Sequence, residues 1–92
     1  MSYKATDNQD SLRPFNFYSI CMTDSEFLIA LGATIRKLRL KKSMTQIELA
    51  TLCNFEKASM SRIESGKTNI TIITLRKISK ALDIEIKDFF KH

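Results

Sequence analysis

The chain has 92 residues, 43% of them hydrophobic, and a formal net charge of +5 at pH 7. This length fits one domain and leaves no room for a second hydrophobic core. Only two glycines and one proline occur, which favours packed helices over a sheet, and no apolar run is long enough for a membrane span or a secretory signal. We therefore expect a single all-α domain in the cytoplasm.

Positive charge gathers after residue 21, because Lys4 and Arg13 are balanced by Asp7 and Asp10. The excess lies in the run RKLRLKK at 36–42 and in two later groups: Lys57, Arg62 and Lys67, then Arg76, Lys77 and Lys80. A basic surface suits a polyanion such as nucleic acid, although many small proteins are mildly basic without binding one. Charge alone is weak evidence for DNA binding.

The N-terminal part of the chain differs in character from the rest. Residues 1–11 are polar and predict disorder. Residues 12–20 carry apolar side chains around Pro14 without helical spacing: Leu12, Phe15, Phe17, Tyr18 and Ile20. We expect this apolar segment to pack either on the domain or on a partner.

A second interpretation places the authentic start of the protein at Met22. Thr23 or Ser25 then caps the first helix, and the upstream residues are incidental. For the sequence as a whole, we predict a partly disordered N-terminal extension over 1–24 and a folded domain over 25–92.

The pattern of residues 44–69 predicts two short helices joined by a tight turn. Thr45 suits the cap of the first helix, and Glu48 three positions later completes a capping box. Asn54 tolerates the left-handed backbone of a sharp corner, and Gly66 stops the second helix. Together these signals indicate a helix-turn-helix unit.

Apolar residues follow helical spacing in both helices. They are Ile47, Leu49, Ala50 and Cys53 in the first helix, Met60 and Ile63 in the second, and Phe55 at the corner. The opposite face of the second helix is short, polar and basic: Lys57, Ala58, Ser61, Arg62 and Ser65. A DNA major groove admits a helix with such a face, and the alternative is an ordinary solvated surface.

Three stretches together resemble the Cro/C1-type (Xre-like) helix-turn-helix regulators of bacteria and phages: LGATIRKLRLKKSMTQIELA, SRIESGKTN and TLRKISKALDIEIKDFF. The resemblance covers about residues 25–91. It implies a compact five-helix, lambda-repressor-like DNA-binding domain with a poorly ordered N-terminal extension. Such a domain binds a duplex DNA operator, usually as a homodimer.

The chain departs from the family pattern at four positions. Asn54 stands where glycine is usual, Met60 where isoleucine or valine is common, and Ile70 where proline often follows the loop asparagine. Glu56 stands where serine or threonine usually caps the recognition helix. An acid there repels phosphates unless it caps the helix and points away, or accepts a hydrogen bond from a cytosine amino group.

The resemblance also implies, position by position, which side chains meet DNA. Phosphate contacts are expected from six residues: Thr45, Gln46, Ser59, Lys67, Thr68 and Asn69. Base contacts are expected from four: Lys57, Ala58, Ser61 and Arg62. Arg62 and Lys57 suit guanine O6 and N7, and Ala58 suits a thymine methyl. The alternative for Arg62 is a solvated side chain.

The first helix of the domain is expected over 26–41. Its inward side chains are predicted to be Phe27, Leu31, Ile35 and Leu38. The resemblance implies a buried, structural ion pair between Arg39, near the end of this helix, and Glu64, late in the recognition helix. A contact of Arg39 with a DNA phosphate is the alternative.

The C-terminal part predicts a helix capped by Thr71 and ended by Asp83, then a last turn over 85–91. The buried stripe of that helix is expected to be Ile72, Leu75, Ile78, Ala81 and Leu82. Four apolar residues then follow, of which the core needs about two: Ile84, Ile86, Phe89 and Phe90. We assign this group, with Ile86 and Phe90 foremost, to a two-fold dimer interface.

Cysteine and histidine usage limits the chemistry. Cys53 occupies an apolar position and is interpreted as a buried hydrophobe rather than a disulfide partner of Cys21. There is no CxxC, and His92 is the single histidine, so no metal site is expected. Because no nucleophile with an activating base and no glycine-rich phosphate loop occurs, we expect no catalytic residues, no cofactor and no small-molecule ligand.

These observations predict a sequence-specific transcriptional regulator that acts as a homodimer on a palindromic operator. Within the family, the chain is similar to stand-alone controller proteins of restriction-modification systems. The alternative is an antitoxin-type interaction module whose main partner is a toxin. Such modules usually carry an added toxin-binding segment, a role that only the N-terminal extension is placed to fill.

Overall fold

The structure is a computed structural model that describes residues 22–90. Every element in this range is helical: α1 (Asp24–Lys41), α2 (Gln46–Cys53), α3 (Lys57–Glu64), α4 (Ile72–Leu82) and a short 3-10 helix (Ile86–Phe90). The predicted all-α class is confirmed, but the fifth helix is a 3-10 helix rather than an α-helix. The interpretations of the N-terminal segment, Cys21 and His92 fall on residues outside this range.

Threonine caps begin three of the four α-helices. The Thr23 hydroxyl accepts the Glu26 N–H at 3.1 Å, and the Thr23 N–H donates to the Glu26 carboxylate at 3.0 Å. Thr45 and Glu48 repeat this capping box at α2, and Thr71 caps α4. Each cap supplies a partner to a backbone donor that the first turn leaves unsatisfied. Because Thr23 is the cap of α1, this helix begins at Asp24, two residues earlier than predicted.

Left-handed backbone turns the chain at the ends of the helices. Asn54 follows α2 with φ 62° and ψ 39°, and Asp83 follows α4 with φ 58° and ψ 47°. Asparagine and aspartate adopt this conformation at less cost than most residues that carry a Cβ. Gly66, with φ 76°, turns the chain after α3. The prediction that Asn54 forms the corner is confirmed.

The four α-helices and the 3-10 helix share one hydrophobic core. α1 packs against α3 and the 3-10 helix, and α2 packs against α3 and α4. The buried hydrophobic residues are Leu31, Ile35, Leu49, Ala50, Cys53, Met60, Ile63, Leu75, Ile78, Leu82 and Phe89. Burial raises the pKa of the Cys53 thiol, although the nearby Lys77 charge acts in the opposite direction.

Two residues that the sequence pattern placed in the core are exposed. Ile47 is 57% exposed and Ile72 is 66% exposed. Ile47 lies two positions before the buried Leu49, which is about 200° around a helix of 3.6 residues per turn. Ile72 has the right spacing, but it is the first residue of α4 and lies beyond the edge of the core.

Gly32 allows α1 to approach the end of α3 at backbone distance. A Cβ atom at this position would lie 2.4 Å from the carbonyl oxygen of Ile63 and 2.6 Å from that of Glu64. Both neighbours are backbone atoms, so neither can move aside as a flexible side chain would. The close approach of α3 to α1 therefore requires a residue without a Cβ atom at position 32.

Candidate nucleic-acid interface

Helix α3 divides cleanly into a buried face and an exposed face. Met60, Ile63 and Glu64 are buried. The exposed residues recur at helical spacing and form one stripe: Lys57, Ala58, Ser61, Arg62 and Ser65. The structure thus brings the four residues predicted to read bases onto one solvent-facing surface, which we call the α3 face.

A groove lies beside the α3 face, between this helix and the loop that follows it. Its volume is about 240 Å³, and its lining includes Ser59, Arg62, Thr68 and Asn69. Three of the predicted phosphate-binding residues therefore surround the same depression as one predicted base-reading residue. Phe55, Ile63 and Ile70 supply its apolar lining.

A second groove flanks the α3 face on the side of α1 and α2. Its volume is about 580 Å³, and Thr45, Gln46 and Ser61 lie on its walls. Arg36 also lines this groove and is exposed, which makes it a candidate phosphate contact. The sequence does not single out Arg36 for this role, since the basic run at 36–42 does not indicate which of its members face this groove.

The start of α2 offers donors toward the second groove. The Thr45 hydroxyl accepts the Glu48 N–H at 3.1 Å, whereas the Thr45 N–H donates to the Glu48 carboxylate at 2.8 Å. A hydroxyl that accepts one hydrogen bond keeps its own hydrogen to donate to another acceptor. Thr45 can therefore cap α2 and contact a phosphate through its hydroxyl, but its backbone N–H is already bonded.

A buried ion pair lies beneath the α3 face. Arg39 Nε donates to Glu64 Oε2 at 2.6 Å and Arg39 Nη2 donates to Glu64 Oε1 at 2.9 Å. The two side chains are only 7% and 3% exposed. The hydrogen bond to Glu64 raises the pKa of the Arg39 guanidinium, although burial opposes this shift. This geometry matches the structural role inferred for the pair and leaves Arg39 poorly placed for a DNA phosphate.

The same ion pair reaches two further residues. Arg39 Nη1 donates to the carbonyl oxygen of Met44 at 2.8 Å, and Gln46 Nε2 donates to Glu64 Oε1 at 3.0 Å. An amide nitrogen carries two hydrogens, so Gln46 retains one for a phosphate. Gln46 therefore connects the interior network to the second groove.

Comparison with known proteins places this geometry in a family. The helix-turn-helix family model HTH_3 matches residues 35–89. The chain belongs to this helix-turn-helix family. The predicted resemblance to helix-turn-helix regulators is thereby confirmed, and the chain is a DNA-binding transcriptional regulator of that class.

Three proteins similar to this chain are named as control or controller proteins. Control protein C.BamHI from Bacillus amyloliquefaciens is 39% identical over 61 residues, which span 65% of this chain and 75% of that protein. Control protein C.MunI from a Mycoplasma species is 31% identical over 67 residues, 72% of this chain and 90% of that protein. The crystal structure of the restriction-modification controller protein C.AhdI from Aeromonas hydrophila superposes with a TM-score of 0.67 at 32% identity, covering 68% of this chain and 96% of that chain.

Glu56 occupies the cap position of the recognition helix in this helix-turn-helix protein. Its φ of −77° and ψ of 154° are typical of a cap, but its side chain makes no capping hydrogen bond. Its negative charge still interacts favourably with the helix N-terminus. The side chain is exposed and therefore accessible to DNA. A hydrogen bond that it accepts from a cytosine amino group stays a prediction.

The predicted dimer-interface residues fall into two groups. Phe89 is only 1% exposed and packs in the core, so its inclusion among them is wrong. Ile84 and Ile86 are half-buried. Phe90 is also half-buried, and its ring stacks on that of Phe27, with centroids 6.4 Å apart. The assignment of Ile84, Ile86 and Phe90 to a dimer stays a prediction.

Within residues 22–90, no helix has the length and apolar character that a bilayer span requires. The same range holds no group of three or more His, Cys, Asp or Glu side chains arranged to bind a metal ion.

Proposed function

We propose that this protein regulates transcription as a homodimer bound to a palindromic operator, in the manner of a restriction-modification controller. One observation carries the proposal: an exposed, polar and basic α3 face is set between two grooves lined by hydrogen-bond donors. The names of the relatives, among them control proteins and a restriction-modification controller protein, support the more specific role.

In this proposal the α3 face enters the major groove and reads bases. Arg62 donates to guanine O6 and N7, and Ala58 contacts a thymine methyl. Lys57 and Ser61 extend the reading surface along the same stripe. Both Ala58 and Ser61 are small, so the helix backbone can approach the base edges closely.

The two grooves position the helix on the sugar-phosphate backbone. Phosphate contacts on one side come from Ser59, Lys67, Thr68 and Asn69. On the other side they come from Thr45, Gln46 and Arg36, which line the second groove. Such contacts fix register and orientation without reading sequence.

A dimer is proposed because one eight-residue recognition helix offers few base contacts. Two copies related by a two-fold axis read both halves of an inverted repeat when their recognition helices lie about 34 to 36 Å apart. Ile84, Ile86 and Phe90 supply the apolar surface for this pairing, since they follow α4 closely in the chain and are incompletely buried.

The proposal is tested by selecting binding sites for the full-length protein from random duplexes, followed by anisotropy titrations of the selected sequence. We expect an inverted repeat. With roughly 6 to 10 phosphate contacts, affinity should fall by about 10³ to 10⁵ between roughly 50 and 200 mM salt. A flat salt response, or no enriched sequence, contradicts DNA reading by this face.

DNA from upstream of the protein's own gene separates the regulator from the antitoxin alternative. A regulator retards this DNA by itself. Retardation that requires a second protein would favour the antitoxin-type module instead.

A further inference from the structure

An apolar groove lies on the side of the domain, between the first turns of α1, the loop before α4 and the start of α4. Its volume is about 570 Å³. Its apolar lining includes Phe27, Leu28, Ile70, Ile72, Leu75 and Phe90. We call it the side groove.

The side groove leaves aliphatic surface in contact with water. Ile72 on its wall is 66% exposed, and Leu28 and Ile70 are only half-buried. A concave surface with this lining is typical of a site that another segment or molecule covers. The core of residues 22–90 itself leaves Ile72 in solvent.

The chain holds a segment whose chemistry and position suit this surface. Residues 12–20 include Leu12, Phe15, Phe17, Tyr18 and Ile20, and only residues 21–23 separate them from the start of α1. Asp24, the first residue of α1, lies on the lining of the side groove. The segment therefore enters the described domain at the edge of the groove itself.

Reach and effective concentration both favour an intramolecular contact. Seven extended residues from Met22 back to Phe15 span about 23 to 25 Å, which exceeds the width of a helix, about 10 to 12 Å with side chains. A segment tethered so closely has an effective concentration of the order of millimolar. A separate molecule at ordinary protein concentration competes poorly with it.

We propose that residues 12–20 of the same chain pack into the side groove, with their aromatic rings against Leu28 and Ile72. The segment then extends the core of its own domain, and it is not a binding element for another protein. The rim of the groove also includes Asn69 and Thr71, so the packed segment contacts and stabilises the loop between α3 and α4. This inference rests on the groove and the sequence and holds whether or not the protein reads an operator.

Nuclear Overhauser effects measured on the full-length protein test the contact directly. We expect cross-peaks between ring protons of Phe15, Phe17 or Tyr18 and the methyl groups of Leu28 and Ile72. A mixed sample of labelled and unlabelled chains distinguishes contacts within one chain from contacts between two. Absence of these cross-peaks, or their appearance only between chains, overturns the proposal, the second result showing that another copy fills the groove.

Neighbouring isoleucines provide a matched pair of variants. Ile72 lines the side groove, whereas Ile73 is outside the groove lining and has a similar exposure of 57%. Ile72→Lys should abolish the cross-peaks and move the ring resonances of residues 15–18 to the positions of an unfolded peptide, and Ile73→Lys should do neither. If the two variants behave alike, the segment does not pack at Ile72 and the proposal fails.

Discussion

Arg39 and Glu64 join α1 to the recognition helix through two parallel hydrogen bonds, 2.6 and 2.9 Å long, in the interior of the domain. Because both side chains are nearly inaccessible to water, neither charge has solvent as a substitute partner. The pair is therefore more important for what its disruption costs than for the attraction that it supplies.

Replacement of one partner should be strongly destabilising. Glu64→Gln leaves the Arg39 charge buried without its counter-ion, and we expect a loss of about 3 to 5 kcal/mol in the free energy of unfolding. Denaturant titration followed by circular dichroism measures it. Glu85→Gln is the control, because Glu85 and Lys87 form an exposed pair at 3.5 Å, and its loss should cost at most about 1 kcal/mol. Equal effects of the two variants would contradict a buried role for Glu64.

Gly32→Ala should destabilise the protein although it improves helix propensity. At an exposed helical position the change would be favourable by about 0.5 to 1 kcal/mol. Here the new methyl meets two carbonyl oxygens of α3, and overpacking of this kind costs about 1 to 3 kcal/mol. Thermal unfolding beside Lys37→Ala, an exposed position on α1, gives the comparison. A higher melting temperature for Gly32→Ala would contradict the close approach of α1 to the carbonyl oxygens of α3.

Arg62 and Gln46 should affect DNA binding in different ways. Arg62→Ala should cost about 1 to 3 kcal/mol and relax the preference at one operator position. Gln46→Ala should weaken all sites about equally, because a phosphate contact carries no sequence information. Titrations on single-base operator variants separate the two. An unchanged rank order for Arg62→Ala would show that the α3 face does not read bases.

Since Gln46 also donates to Glu64, its variant needs an additional measurement. The free energy of unfolding of Gln46→Ala should be determined beside its affinity. If the affinity is lost only in proportion to a loss of folded protein, Gln46 acts through the interior network and not through a phosphate.

Charge placed at the proposed dimer surface should separate the protomers. Ile86→Asp should give a folded monomer in sedimentation experiments, because an unpaired carboxylate at the centre of an apolar interface is costly to desolvate. Ile47→Asp changes an exposed isoleucine on α2 and should stay dimeric. If the Ile86→Asp protein is folded and dimeric, the dimer interface lies elsewhere on the domain. Phe90→Asp is less decisive, since Phe90 also stacks on Phe27.

The starts of α2 and α4 and the corner at Asn54 could be predicted from the sequence because their causes are local. Thr45 and Glu48 form their capping box three residues apart, and Asn54 adopts a left-handed conformation that its own side chain tolerates. The ion pair of Arg39 and Glu64 spans 25 residues, and it was predicted from the family resemblance, since no local pattern specifies it.

The roles of Ile72, Gly32 and Phe89 depend on residues that are distant in the sequence. Ile72 has the spacing of a core residue, but whether another helix covers it is a property of the whole arrangement. The need for glycine at position 32 could not be predicted from the sequence, because it arises from the carbonyl groups of α3. For Phe89, hydrophobicity alone did not distinguish a side chain that fills the core from one that faces a partner.

The guanidinium of Arg39 on α1 contacts the turn before α2 at Met44 and the end of α3 at Glu64. Gln46, the first residue of α2, also donates to Glu64, so three helices share one junction. Under the proposed function, an α3 face held in this way is preorganised, and we expect little loss of conformational entropy when DNA binds. The junction is buried while the α3 face is exposed, so the two are independent under mutation. If Lys57, Ala58 and Arg62 read bases as proposed, their exchange changes the operator preference and leaves the contacts of the buried junction in place.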